Sequence, residues 1–308
     1  MGYQNIEIMV NGIDDNSELL RIVLDTDTKN EIDDQFAITY ALLSKRELQV
    51  EAIHAAPFTK TGYPTPEIGM EASYQEILKV LDKMGLNDQI PVFKGSKAIF
   101  SNLNKPIDSD AARNLIRLAK RGMEEPLYVV SIGAATNVAS AILLEPSIID
   151  KIVVVWLGSQ PTYWDNPREF NLQNDPLSVM VLFDSGVPLV HVPCKNVAEH
   201  LRTVSCEIDE FVGGRGVIGD YLAEIFHEWI RRKKMRSKPL WDLTPVAYVV
   251  NPEWVPTVRR VAPKINQDMT WAQPEADRHT CLVAYDVKCD SILMDFFEKL
   301  QKNYPLNK

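Results

Sequence analysis

The sequence lacks the features that mark several protein classes. Its four cysteines form no Cys-x-x-Cys pair, which argues against a zinc knuckle or a thioredoxin-type motif. In a chain of 308 residues they are also too few for a disulfide scaffold, so we expect free thiols and a cytoplasmic location. No uninterrupted apolar run reaches the ~18 residues of a membrane-spanning helix.

The sequence also has fewer basic than acidic residues. The chain has 33 basic and 42 acidic residues, a net charge of −9. Such a chain repels a phosphate backbone, so we expect no nucleic-acid partner, and without an apolar span we expect no membrane partner. Residues 1–16 are polar and lack a basic start, which argues against a secretory leader. The basic run at residues 231–236 is interpreted as the solvated end of a long helix.

The sequence does contain a regular alternation of short apolar runs and longer helical patterns. Residues 127–132 and 152–157 are near-continuous apolar runs, typical of central parallel strands. Residues 33–46 have helical spacing, and residues 258–261 and 282–285 are predicted edge strands. This alternation predicts an α/β fold with an open, mostly parallel sheet flanked by helices.

No linker, low-complexity segment or internal repeat divides the chain. We therefore predict that residues 1–308 form a single domain. In a sheet of this kind, ligands bind beyond the carboxyl ends of the strands, so the residues that follow each strand are the first place to look for a site.

Five carboxylates follow the first predicted strand within ten residues. They are Asp25, Asp27, Glu31, Asp33 and Asp34. Like charges this close repel unless a cation neutralises them or some stay protonated, and hard oxygen ligands favour Ca²⁺ or Mg²⁺ over zinc. A solvated loop beside a helix N-terminus is the alternative, but it does not explain two aspartates at the end of an apolar strand.

The start of this cluster supports one enzymatic interpretation. Leu24-Asp25-Thr26-Asp27-Thr28 resembles the Asp-x-Asp-x-Thr opening of haloacid-dehalogenase-like phosphatases. That resemblance implies a Mg²⁺-dependent phosphatase with Asp25 as its nucleophile. Such an enzyme also needs a downstream lysine and a later acidic pair at a strand end, and the sequence does not place that pair convincingly.

A second resemblance covers more of the chain. The two aspartate pairs at 25/27 and 33/34 are similar to the calcium-binding opening of the nucleoside hydrolase family, which cleaves the N-glycosidic bond of ribonucleosides. Three further segments follow in the family's order across residues 21–250. They are Gly133-Ala-Ala-Thr136-Asn137, Glu169-Phe170-Asn171 with Asp175-Pro176, and Trp241-Asp242 with Pro245 and Ala247.

The nucleoside hydrolase resemblance implies a Ca²⁺ site, a mechanism and a partner class. The implied metal ligands are Asp27, Asp34, the backbone carbonyl of Thr136, and Asp242. Asp27 would also take the proton from the attacking water, as the catalytic residue. The residues implied to contact the substrate are Glu169, Asn171, Trp241 and Asp33. The resemblance further implies a small nucleoside-like substrate and a homo-oligomer, either a dimer or a tetramer.

Three departures from the family pattern concern the substrate. Two extra residues lie between the aspartate pairs, at 28–32, and Pro57-Phe58-Thr59 stands where the family has Gly-Asn. Trp241 replaces a histidine that often protonates the leaving base. Tyr163, Asp165 and His54 are weak candidates for that proton donor, although His54 is better interpreted as a core residue. A nucleoside- or sugar-binding protein without catalysis is the non-enzymatic alternative.

Overall fold

The structure of the chain is a computed structural model that describes residues 19–122 and 125–306. The segment 1–16, for which we expect no secretory leader, lies outside the described residues. The two ends of the predicted 1–308 domain lie outside them as well. Among the described helices, none is long and apolar enough to cross a membrane.

Ten strands are present in the described chain. They are β1 (Leu20–Thr26), β2 (Leu48–Ala55), β3 (Val92–Lys94), β4 (Leu127–Ser131), β5 (Ile152–Leu157), β6 (Leu189–Val192), β7 (Arg202–Val204), β8 (Ser237–Pro239), β9 (Thr257–Val261) and β10 (Thr280–Ala284). Eight of them form one sheet in the order β3-β2-β1-β4-β5-β6-β10-β9. Only β9 runs antiparallel to its neighbour there, whereas β7 and β8 form a separate antiparallel pair.

Helices connect and flank these strands. They are α1 (Asp33–Leu43), α2 (Pro66–Met84), α3 (Asp110–Ala119), α4 (Thr136–Leu144), α5 (Phe170–Asn174), α6 (Pro176–Asp184), α7 (Ser205–Phe211), α8 (Gly216–Lys233), α9 (Leu243–Val250) and α10 (Cys289–Asn303). The predicted α/β fold with a mostly parallel sheet is confirmed. The edge strand predicted at residues 282–285 is wrong, because β10 lies between β6 and β9.

Both faces of the sheet are buried because side chains alternate along the central strands. Ile22 and Leu24 of β1 join one apolar cluster with Phe36 of α1. Val23 points to the opposite face and joins a second cluster with Val138 of α4. Burial of each such side chain contributes about 2 kcal/mol, so the two clusters hold the helices to the sheet.

The strand order places one position of special interest at the centre of the sheet. β1 lies between β2 and β4, so the direction of winding reverses at that point. In doubly wound sheets this switch point opens a crevice beyond the carboxyl ends of the strands. The loops that follow β1, β4 and β5 therefore meet at one edge of the molecule.

Candidate active site

A cavity of about 390 Å³ lies at this edge of the sheet. Most of the residues predicted to form a site line it. These are Asp27, Asp33, Glu169, Asn171, Trp241 and Asp242. Asp34 and Thr136 do not line the cavity, and both are buried.

Three aspartates bring their carboxylates together at the floor of the cavity. Oxygen atoms of Asp33, Asp34 and Asp242 lie within 4.8 Å of one another. Asp34 also accepts a hydrogen bond of 2.5 Å from the Thr26 hydroxyl, and its carboxyl group is hydrogen-bonded to Asp242. Asp33 and Asp34 begin α1, and Asp242 caps α9, so elements about 200 residues apart in the chain supply this cluster.

Burial gives these carboxyl groups unusual acidities. It raises the pKa of Asp34 to about 7, with repulsion from Asp33 as the second cause. It raises the pKa of Asp27 and of Asp242 well above the ordinary value, again with neighbouring aspartates adding repulsion. Within the described residues, Asp27 Oδ2 is buried without any hydrogen-bond partner. A hard divalent cation would reduce the repulsion among the aspartate carboxylates and would give the Asp27 Oδ2 atom a binding partner.

Thr136 is buried and is the first residue of α4. Its hydroxyl donates a hydrogen bond of 2.7 Å to Asp175, the residue that caps α6. The side chain of Thr136 therefore ties two helices together. The use of its backbone carbonyl as a metal ligand stays a prediction.

The Glu169-Phe170-Asn171 segment begins a short helix rather than forming a plain loop. Both carboxylate oxygens of Glu169 accept backbone N–H groups, from Ser159 and Asn171 at 2.9 Å and from Leu172 at 3.2 Å. Asn171 donates to the carbonyl of Leu157 at 3.0 Å, at the end of β5. These bonds fix both side chains at the wall of the cavity.

A buried lysine that the local sequence does not single out lies next to the aspartate cluster. The Lys238 ammonium lies 2.6 Å from Glu31 and 2.9 Å from Asp33, and the side chain is fully buried. It also lies 4.4 Å from the ring centre of Trp241 and 5.0 Å from that of Trp229. Nothing in the local pattern of β8 indicates this role, because the acidic partners lie more than 200 residues earlier.

The two-residue insertion at 28–32 forms part of the cavity wall. Lys29 points away from the cavity and pairs with Glu76 of α2 at 2.7 Å. Asn30 and Glu31 do line the cavity. The ammonium of Lys60, which follows the Pro57-Phe58-Thr59 segment, donates to the backbone carbonyls of Lys29 and Asn30 and so fastens the insertion in place.

The weaker sequence candidates do not line the cavity. His54 is buried, binds Asn114 at 2.9 Å, and has its pKa lowered to about 4 by burial, as a core residue does. Tyr163 and Asp165 are exposed. Asp25 is buried and accepts a hydrogen bond of 2.9 Å from Asn137. An aspartyl phosphatase with Asp25 as its nucleophile therefore lacks an accessible nucleophile.

Comparisons with known proteins identify the family to which the chain belongs. Residues 22–293 match the sequence profile described as inosine-uridine preferring nucleoside hydrolase. The chain is 30% identical over 271 residues to the pyrimidine-specific ribonucleoside hydrolase RihA of Escherichia coli O1:K1 / APEC. That alignment covers 78% of this chain and 83% of the relative.

Solved structures share the fold. A purine-preferring ribonucleoside hydrolase from Gardnerella vaginalis superposes with a TM-score of 0.75 at 20% identity, covering 93% of this chain and all of that one. For an inosine-uridine preferring nucleoside hydrolase from Bacillus anthracis the TM-score is 0.65 at 18% identity, with 92% of this chain covered. The profile match spans most of the sequence, and so the chain belongs to the inosine-uridine preferring nucleoside hydrolase family, a family of N-glycosyl hydrolases.

Proposed function

We propose that this protein is a Ca²⁺-dependent hydrolase of the N-glycosidic bond of ribonucleosides or related N-ribosyl compounds, with Asp27 activating water. The observation that carries the proposal is the meeting of buried carboxylates at the floor of the cavity. Carboxylates so placed stabilise positive charge, and the transition state of glycoside cleavage carries positive charge on the sugar.

The donor set fits a calcium ion. Asp27, Asp34 and Asp242, with the carbonyl of Thr136, offer only oxygen atoms, which Ca²⁺ prefers and zinc does not. Asp34 and Asp242 crowd together with Asp33, and the unmet oxygen of Asp27, which is not part of that group of three, supports the same assignment. When bound, the ion would anchor the ribose 2′ and 3′ hydroxyls and acidify the attacking water.

Asp27 is the residue proposed to act as general base. It lines the cavity, where its carboxylate can reach a water molecule and accept a proton from it. As Asp27 takes one proton from water, the oxygen bonds to the anomeric carbon and the bond to the base nitrogen breaks. The bonding electrons leave with the base, which takes up a proton from solvent water, and Asp27 later releases its own proton to solvent. The products are free ribose and free base.

The remaining cavity residues are proposed to position the substrate. Glu169 and Asn171 would hold ribose hydroxyls, since both are fixed at the wall by backbone hydrogen bonds. Asp33 is tied to Lys238 and would support this floor and the sugar above it. Trp241 would stack on the base, because its indole ring lies at the cavity surface and cannot donate a proton at neutral pH.

We also propose that the protein acts in the cytoplasm as a homo-oligomer, a dimer or tetramer. All four cysteines are free, which suits a reducing compartment. The oligomer is proposed from the family resemblance alone. Light scattering coupled to size-exclusion chromatography tests it, and a monomer at all concentrations would overturn it.

The Asp27→Asn variant tests the proposed mechanism. Removal of the base should lower kcat by about 10³-fold while the fold persists. The assay is ribose release from a nucleoside that the wild-type protein hydrolyses, with circular dichroism as the test of folding. Asp150→Asn, the same change at an exposed carboxylate, is the matched control and should keep full activity. Full activity of Asp27→Asn would overturn the assignment of Asp27.

A further inference from the structure

Three cationic side chains line the same cavity as the carboxylates. They are Lys60, from the connection between β2 and α2, and Arg232 and Lys233, from the end of α8. Among the described residues, none of the three has a carboxylate within ion-pair distance, although Lys238, Lys29 and many other cations do. The cavity therefore has an acidic floor and unpaired positive charge elsewhere along its wall.

Lys60 is held in place by backbone carbonyls and aromatic rings, and it has no salt-bridge partner among the described residues. Its ammonium donates to two backbone carbonyls and lies 5.5 Å from the ring centres of both Phe58 and Tyr63. Carbonyls and rings orient a cation without cancelling its charge. Burial lowers the pKa of Lys60 and the nearby Arg232 guanidinium lowers it further, whereas the carboxylates of Asp27, Glu31 and Asp34 raise it, so the acidic floor offsets part of the lysine's charge.

The end of a helix does not account for this arrangement. A basic last turn suits the dipole of α8, which explains why residues 231–233 are basic. It does not account for Lys60, which comes from a different part of the chain, fastens the insertion and lies in the same cavity within electrostatic reach of Arg232. Like charges held together in a concave site repel until an anion lies between them.

We propose that the substrate of this cavity is an N-ribosyl compound that carries an anionic group, a carboxylate or a phosphate, bound by Lys60, Arg232 and Lys233. This inference rests on the proposed function, since it names the substrate class of the same site. The anionic group takes no part in the reaction. Water still adds across the glycosidic bond, and the anion leaves unchanged on one of the two products.

Two positions on a nucleoside could carry the anion, and matched substrates separate them. Orotidine is uridine with a carboxylate on the base, and uridine 5′-monophosphate is uridine with a phosphate on the sugar. We expect kcat/KM of the wild-type protein in Ca²⁺ to be about tenfold or more higher for one of these two than for uridine. Equal or lower values for both would overturn the inference, even if uridine is hydrolysed as the proposed function requires.

Calorimetry with reaction products gives a second measurement that does not depend on turnover. Ribose 5-phosphate is compared with ribose, and orotate with uracil, on the wild-type protein in Ca²⁺. One anionic product should bind about tenfold more tightly than its neutral counterpart. Similar affinities within both pairs, or no detectable binding of either anionic product, would overturn the inference whether or not any nucleoside is hydrolysed.

A pair of arginine variants assigns the preference to the cavity. Arg232→Gln should reduce the preference for the anionic member to less than threefold, because it removes one of the three cations. Arg231→Gln is the matched control, since Arg231 belongs to the same helix end but does not line the cavity. If both variants lost the preference for the anionic member equally, the preference would come from the general positive potential of the helix end. That result would overturn the proposed anion site.

Discussion

The sequence alone identifies some residues of this site and not others. Asp27 and Asp34 could be singled out because they follow an apolar strand, and strand ends in parallel sheets meet at one edge. Lys238 could not, because its partners Glu31 and Asp33 lie 207 and 205 residues earlier. A local pattern contains no information about an ion pair between such distant segments.

A buried histidine allows a prediction about pH and stability. His191 is fully buried beside Trp156. Its Nε2 donates to the Gly158 carbonyl and lies 2.8 Å from the Ser159 hydroxyl, and burial lowers its pKa to about 4. In the unfolded chain it titrates near 6.5, so at pH 5 only the unfolded state takes up the proton. Its contribution to stability is complete above pH ~6.5 and is lost as the pH falls toward 4, about 2 kcal/mol between pH 7 and pH 5.

The His191→Gln variant isolates this effect, because glutamine does not titrate and all other groups are unchanged. Urea unfolding of both proteins is measured at pH 7 and pH 5 with the calcium concentration held constant. The wild-type protein should lose more stability on acidification than the variant, by about 2 kcal/mol. Identical losses in the two proteins would contradict the assignment of a neutral, buried His191.

Short elements were harder to predict than long ones. The apolar runs of β4 and β5 and the helical spacing of α1 are visible in the sequence, and the structure places elements there. The pair of β7 and β8 was missed, because each strand has three residues and β8 ends in a proline. The sequence does not predict that the Glu169 carboxylate caps α5, because that contact depends on the fold of the preceding connection.

The two-stranded sheet matters because β8 carries Lys238 to the insertion after β1. Lys238→Met should lower the free energy of unfolding by about 3 kcal/mol, since it leaves Asp33 buried without its cation. Urea unfolding in chelating buffer measures the loss without interference from bound metal. Asp33→Asn introduced into the same variant should recover part of it, because the unpaired charge is then absent.

Lys195→Met is the matched control for this change. Lys195 pairs with Glu199 at 2.8 Å on the surface, where solvent screens the charges, so its loss should be much smaller. If Lys238→Met were as stable as the wild-type protein, the buried ion cluster would have no role in holding the insertion to β8.

At the scale of the whole molecule, the prediction of function depends mainly on four short segments that follow one another in the family's order. They are spread over residues 21–250, and the sheet brings their side chains to one cavity and its immediate floor. The order of these segments does not predict which charged side chains line the wall of the cavity. The basic run at 231–236 is exposed at the end of α8, as predicted, and its Arg232 and Lys233 also line the cavity. Only the packing of α8 beside the connection after β2 reveals this.

The central claim is that a calcium-bound carboxylate cluster cleaves N-ribosyl bonds. The most direct test is a reducing-sugar assay on the chelated protein, before and after Ca²⁺ is restored, with a panel of neutral nucleosides, orotidine and uridine 5′-monophosphate. We predict release of ribose or ribose 5-phosphate that chelation abolishes and Ca²⁺ restores. Release that is indifferent to chelation, or no release from any member of the panel with Ca²⁺ bound, would contradict the account.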